Sequence, residues 1–237
     1  MEQKKHWIDM RLSAEHMRYL HQAISVTKES GISTFIDDKD NWFFETILKE
    51  LTEKLFYDDW DNYRRYHIKK NESPPKFVMD RFWVNYLKQY EFNPLHNHSG
   101  LFSFVIFMKI PTHWEEQHTL NFDNFRAQVA SDFMFVWSEH TENFLRTHYF
   151  SLSPEDEGRM LFFPAWLHHM VYPFYETETE KRITISGNIC EHDPVVQDLQ
   201  KKWGRDEVEI KENMLKLMEE HVEVTKKELQ RMKKMRE

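Results

Sequence analysis

The stretch LFSFVIFMKIP, residues 101–111, constrains the fold more than any other part of this chain. Its residues are almost all apolar, and aromatic or β-branched side chains dominate. An amphipathic element would show a polar face at period 2 or 3.6, and none is visible. The run therefore reads as a strand buried on both faces, ended by Pro111, and it requires cover on each side. Other stretches share its texture. KFVMDRFWVNYLKQYEF (76–92) is rich in strand formers. SDFMFVWSE and NFLRTHYFSL read as strands joined by polar turns, and GRMLFFPAWLHHMVYPF is punctuated by Pro164 and Pro173. KRITISGNI alternates, with Arg182, Thr184, Ser186 and Asn188 on one face and Ile183 and Ile185 on the other. Short antiparallel strands at this spacing predict a β-sandwich or jelly roll of the cupin-like kind.

Two flanking segments differ in character. In the first 70 residues, Ser13 can cap a helix carrying Met17, Leu20 and Ile24, and Gly31 breaks the pattern. Asp40 or Asn41 can open a second helix, on which Phe43, Ile47, Leu51 and Leu55 recur every fourth residue. NESPP (71–75) marks a boundary, because paired prolines suit neither a helix interior nor a central strand. From Asp193 the chain turns highly charged, and Val208, Leu215, Val222 and Leu229 form a heptad-spaced seam. The expected organisation is an N-terminal helical segment packed on the core (1–75), a β core (76–192) and a charged C-terminal helix (193–237). That helix can dock on the core or pair with a second copy in a homodimer. The expected class is mainly β in its core, α+β overall.

Composition removes several function classes. With 5 Gly in 237 residues the chain holds no glycine-rich phosphate loop. A net charge of -8 speaks against nucleic acid as the main ligand. Cys190 is the lone cysteine, so no intrachain disulfide forms, which fits a reducing compartment. MEQKKHWIDMRLS lacks the apolar core of a signal peptide, and no apolar run is long enough to span a bilayer. A cytoplasmic protein with no membrane partner is expected, in the host cell if the gene is viral.

The chemistry-bearing residues are histidines. His96 and His98 stand one residue apart in NPLHNHSG, just ahead of the apolar run. In a chain with 14 histidines, chance supplies roughly one His-x-His pair, so the pair alone proves nothing. About 70 residues on, FPAWLHHMVYPF carries His168 and His169, whose side chains must point to opposite faces of a strand. Two close histidines and one distant one can converge across a jelly roll as three ligands on one face of a metal. The opposite positions then stay open to substrate and dioxygen. Arg182, one strand further on, is a natural clamp for a carboxylate. The competing readings are a turn histidine for His96 and a surface ion pair for Arg182. His113, His118, His140 and His148 lie in polar contexts and read as solvated. Trp83, Tyr86 and Trp166 read as core aromatics before pocket lining.

Four pieces in order carry a resemblance: Pro-x-His-x-His-Ser-Gly, a strand ending in Lys-Ile-Pro, Phe-Pro-x-x-x-x-His-x-Val-x-Pro, and Arg-Ile-Thr-Ile-Ser-Gly-Asn. Together, over roughly residues 76–192, they resemble the Fe(II)/2-oxoglutarate-dependent oxygenases. The nearest likeness is to small members encoded by marine tailed phages and some bacteria. The resemblance implies a double-stranded β-helix holding one Fe(II), with 2-oxoglutarate and dioxygen as co-substrates. It places metal ligands at His96 and His169, with His168 as the fallback for the latter; His98 stands at the third position, where it either binds or leaves the iron two histidines with a water or anion. The 2-oxoglutarate carboxylate falls to Arg182 and Thr184, with Asn188 and Ser186 lining the same pocket. It implies a hydroxylase acting on a protein side chain, prolyl by family analogy, or on a small molecule. One departure stands out: most members have a carboxylate where this chain has His98, and residues 93–109 contain no Asp or Glu. Two alternatives therefore remain. One is a cupin-like binding or structural protein with a degenerate site. The other is a three-histidine iron dioxygenase that does not use 2-oxoglutarate.

Overall fold

The computed structural model describes residues 6–29, 31, 33–56, 76–120, 128–138 and 144–192. By its internal contacts the chain divides into units Met1–Glu191 and His192–Glu237. All the described strands and helices belong to the first unit. The expected C-terminal helix, and with it the homodimer seam, lies outside the described residues.

Among the described residues, ten strands form two antiparallel sheets. The larger sheet runs β1 (Ile8–Arg11), β8 (Arg159–Pro164), β5 (Phe102–Lys109), β10 (Arg182–Glu191), β3 (Phe77–Leu87) and β2 (Ser33–Phe35) in spatial order. The smaller runs β4 (Asn93–His96), β9 (His168–Val171), β6 (Phe133–Trp137) and β7 (Arg146–Phe150). The apolar run at 101–111 forms β5, third in its sheet and buried on both faces. Phe102, Phe104, Ile106 and Met108 point into an outer core, while Val105 and Phe107 point between the sheets. There they meet Leu161 and Phe163 of β8, and Phe133, Phe135 and Trp137 of β6. Burying each Phe contributes roughly 2 kcal/mol, which makes this intersheet layer a main support of the fold.

The outer core is closed by N-terminal helices. Ser13 caps α1 (Ala14–Ser25), accepting from the His16 N–H, and Leu20 of that helix is fully buried. The second helix is capped differently from expectation. Asp40 and Asn41 sit at positive φ (58° and 54°) in a short turn, and Asp38 does the capping. Its carboxylate accepts from the N–H groups of Phe43 (2.9 Å) and Phe44 (3.0 Å). A π-turn over Phe44–Leu48 then leads into α2 (Lys49–Lys54) and buries Phe44, Ile47 and Leu48 against the sheet. The N-terminal segment also supplies β1 and β2, two edge strands that helix periodicity concealed. A further short helix, α3 (Trp114–Thr119), follows β5.

Strand β10 shows why the Ser-Gly-Asn sequence stands where it does. A Cβ on Gly187 would lie 2.6 Å from the Phe104 ring and 2.7 Å from the Arg81 carbonyl oxygen, so only glycine fits. The predicted alternation holds. Ile185 and Ile189 enter the outer core, and Arg182, Thr184, Ser186 and Asn188 turn to the other face, all buried. No helix among the described residues is long and apolar enough to cross a membrane.

Candidate metal centre

Three imidazoles converge at one end of the smaller sheet. His96 ends β4 and pairs across the ladder with His169 of β9, their ring centroids 4.2 Å apart. Pro94 cannot donate to the ladder, and the β4–β9 register shifts between Asn93 and His96. His98 lies two residues beyond, in a turn whose N–H donates to the Ala165 carbonyl (2.9 Å). Gly100 closes that turn at φ 102°; a Cβ there would meet the Ile189 carbonyl oxygen at 2.8 Å. The nitrogens of His96, His98 and His169 all lie within 4.8 Å of one another, and no carboxylate joins the cluster among the described residues.

The ring orientations are set by the backbone. Nδ1 of His169 donates to the Leu167 carbonyl (3.0 Å) and Nδ1 of His96 to the Pro94 carbonyl (2.6 Å). Each bond fixes the Nδ1–H tautomer and leaves the Nε2 lone pair for the centre. Nε2 of His169 lies 3.2 Å from Nε2 of His98. Nitrogens bound at right angles to one metal at 2.0–2.1 Å stand about 3.0 Å apart, so this pair is already at ligand spacing. Burial first, and then the neighbouring His96, pushes His169 down to about 3 and His98 to about 4, with Arg81 adding to the effect on His98. Both rings are thus neutral at physiological pH, the state that binds metal. His169 is 5% exposed and enclosed by Phe133, Phe135 and Phe163, whereas His168 faces outward. Of the doublet, His169 is the residue the fold brings to the cluster.

The opposite wall is the inward face of β10 and β3. Ser186 pairs with Trp83, Thr184 with Asn85 and Asn188 with Arg81. The Trp83 ring stands 5.6 Å from His98, so it lines the site and is no core aromatic. Tyr86 does belong to the core, and Trp166 is 43% exposed. Asn85 donates to the Thr184 hydroxyl (3.4 Å), and the Asn188 side-chain oxygen accepts from Ser103 (3.2 Å). No local pattern marks Asn85, because only its register opposite Thr184 gives it meaning.

Arg182 is 1% exposed, at the start of β10. Its Nη2 donates to the Ser131 carbonyl (2.8 Å) and hydroxyl (2.6 Å), and Nη1 to the Tyr172 carbonyl (3.2 Å). Nε is buried with no partner among the described residues, and Phe174 lies under the guanidinium at 5.1 Å. A buried, unpaired donor on a charged group is costly unless a ligand takes it, and a carboxylate oxygen suits it. Burial lowers the guanidinium to about 10, while Asp132 pulls the other way, so it stays charged at neutral pH. Asp132 and its partner His118 were not foreseen. His118, expected to be solvated, instead bonds the buried Asp132 carboxylate through Nε2 at 2.9 Å. Nothing local marks this pair, since the two residues meet only when α3 packs beside β6.

Residues 81–188 match a protein family described as "Putative 2OG-Fe(II) oxygenase". No curated protein matches the sequence. Among solved structures the chain is similar to an oxidoreductase of the 2OG-Fe(II) oxygenase family from Burkholderia pseudomallei. That likeness has 14% identity and a TM-score of 0.42, over 79% of this chain and 85% of that one. It is also similar to a prolyl-4-hydroxylase from Pseudomonas putida (11%, TM-score 0.47, 79% and 94%). A viral collagen prolyl hydroxylase from Paramecium Bursaria Chlorella virus-1 is comparable (13%, TM-score 0.45, 80% and 90%).

Proposed function

We propose, from the premise that residues 81–188 belong to the 2OG-Fe(II) oxygenase family, that this chain is a 2-oxoglutarate-dependent iron dioxygenase acting as a hydroxylase. Its substrate class is a protein side chain or a small molecule. Fe(II) and 2-oxoglutarate are the family's cofactors, and when bound they supply the activation of dioxygen. The observation that carries the reading is the convergence of His96, His98 and His169 with two tautomers fixed by main-chain carbonyls. These three side chains would hold the metal on one face. Arg182 would offer Nε to the distal carboxylate of the oxo acid, assisted by the Thr184 hydroxyl, with Asn188 lining the same wall. Phe133, Phe135 and Phe163 exclude water behind His169.

Anaerobic titration with Fe(II) and 2-oxoglutarate tests this reading. A weak visible charge-transfer band should need both, His96→Ala and His169→Ala should abolish it, and His168→Ala should keep it. Arg182→Lys should retain Fe(II) but bind 2-oxoglutarate at least tenfold more weakly. One observation favours the second reading, a three-histidine dioxygenase without 2-oxoglutarate: both Nη atoms of Arg182 are already engaged by the protein. Fe(II) binding indifferent to 2-oxoglutarate would establish that alternative.

A further inference from the structure

Arg182 is held by a closed circuit that begins outside the pocket. Ser131 sits in the left-handed region at φ 72°, a conformation unusual for a residue with a side chain. That conformation lets its carbonyl and hydroxyl both accept from Nη2 of Arg182. Its N–H donates to the Pro173 carbonyl (2.8 Å). The next residue, Asp132, is 2% exposed and is anchored through backbone and side chain. Its N–H donates to the Val129 carbonyl (3.1 Å), its carbonyl accepts from the Tyr172 N–H (2.8 Å), and its carboxylate accepts from Nε2 of His118 (2.9 Å). Tyr172 completes the loop by accepting from Nη1 of Arg182. The same helix α3 holds the strand exit a second time, through the paired bonds of the Gln117 amide with the Tyr175 main chain.

A buried carboxylate without a strong partner is expensive, so Asp132 depends on the imidazole that α3 supplies for this placement. Released from His118, the Asp132 carboxylate would turn toward water and loosen the left-handed Ser131, displacing the two acceptors that hold Nη2. We propose that His118 is a positioning residue. Acting through Asp132 and Ser131, it fixes the Arg182 guanidinium so that Nε is presented to the distal carboxylate of a dicarboxylate oxo acid. The inference rests on the 2-oxoglutarate reading of the site and adds a residue to it. His118 touches neither metal nor co-substrate, so its effect falls on co-substrate binding and leaves the imidazole cluster alone.

Three variants separate this role from packing against Trp114, whose ring lies 5.2 Å away. His118→Phe keeps the ring and loses the bond, and His118→Asn is polar but too short to reach. His118→Gln places an amide N–H near the position of Nε2. With Fe(II) under anaerobic conditions, His118→Phe and His118→Asn should raise the 2-oxoglutarate dissociation constant roughly tenfold, the scale of one lost charge-assisted hydrogen bond. Fe(II) affinity should stay within about twofold, and His118→Gln should recover most of the loss. In the ligand-free protein, the Arg182 Nε–H resonance, assigned by its loss in Arg182→Lys, should move in Phe and Asn variants and return in Gln. If His118→Phe does not fold, the Asn and Gln pair carries the test. Unchanged 2-oxoglutarate binding and an unmoved Nε–H resonance overturn the role of His118 and leave the proposed function standing. If the parent protein binds Fe(II) but no 2-oxoglutarate, both fall together.

Discussion

Replacing His169 with Leu should remove about 2 kcal/mol of the acid sensitivity of the metal-free protein between pH 8 and pH 5. The His169 ring is held neutral in the fold, pushed down to about 3, whereas an unfolded histidine titrates near 6.5. Below pH 6.5 the unfolded chain therefore binds a proton at this position that the folded chain refuses. The unfolded state binds more protons, so stability falls as pH falls, and the loss accrues between pH 6.5 and about 3. From pH 8 to pH 5 the unfolded state gains 2.303RT for each of 1.5 pH units, or about 2 kcal/mol. That figure requires only that the folded value lie below 5. His98, pushed to about 4, adds a smaller share because it is partly exposed and screened. Asp132 works in the opposite direction, since burial raises its carboxyl and favours the fold as acid protonates it. The measurement is therefore a double difference.

Urea unfolding in excess chelator, followed by tryptophan fluorescence at pH 8 and pH 5, supplies it. The parent should lose about 2 kcal/mol more than His169→Leu across that interval, a midpoint shift of about 1 M urea. Equal pH slopes would mean that the imidazole is not buried neutral, and the case for a preformed Nε2 donor would fail with it. The same variant should give no stabilisation by Co(II) at pH 7.5, where the parent gains in proportion to ligand saturation.

Gly187→Ala should cost about 2–3 kcal/mol and lower Tm by roughly 4–10 °C in calorimetry, because its Cβ would collide with the Phe104 ring and the Arg81 backbone. Gly100→Ala should cost less stability but weaken Co(II) binding roughly tenfold by titration. It strains the turn carrying His98 at φ 102° and pushes it off the Ile189 carbonyl. Asp38→Ala should destabilise by about 1–2 kcal/mol in urea. A cycle with Tyr19→Phe should show coupling, because the Tyr19 hydroxyl donates to the same carboxylate at 2.6 Å.

The parts of this molecule legible in the sequence are those encoded by short-range periodicity. β5 announced its two-sided burial, β10 its alternation, and the His168–His169 doublet could supply only one residue to any one face. What escaped was encoded by pairing partners. β1 and β2 are three or four residues long, too short to show a period, and they are strands only because β8 and β3 offer them edges. Asp38 caps from five residues away across a tight turn that a conventional capping pattern does not include. The same holds at the site. His96, His98 and His169 belong to recognisable motifs, whereas Asn85, Ser131, Asp132 and His118 acquire their roles from register and helix packing.

An all-imidazole cluster has an electrostatic consequence that a carboxylate-containing one would lack. On the proposed reading, three neutral ligands would leave a bound dication at its full charge, with the cationic Arg182 at the start of β10. Unit charges about 4 Å apart interact by about 4 kcal/mol near a protein surface, so on that reading a metal-loaded site would strongly favour a dianionic oxo acid. Linkage makes the effect reciprocal: the oxo acid must tighten the metal by the same factor. Saturating 2-oxoglutarate should therefore strengthen Co(II) binding roughly 100-fold in anaerobic calorimetry, the upper end of ordinary coupling energies. His98→Asp places a negative charge at the cluster. It should bind Co(II) well by itself but couple to 2-oxoglutarate about tenfold less, because part of the dication is already compensated. A parent protein whose Co(II) affinity ignores 2-oxoglutarate, or a His98→Asp variant that couples as strongly as the parent, would show that charge at position 98 does not govern co-substrate binding.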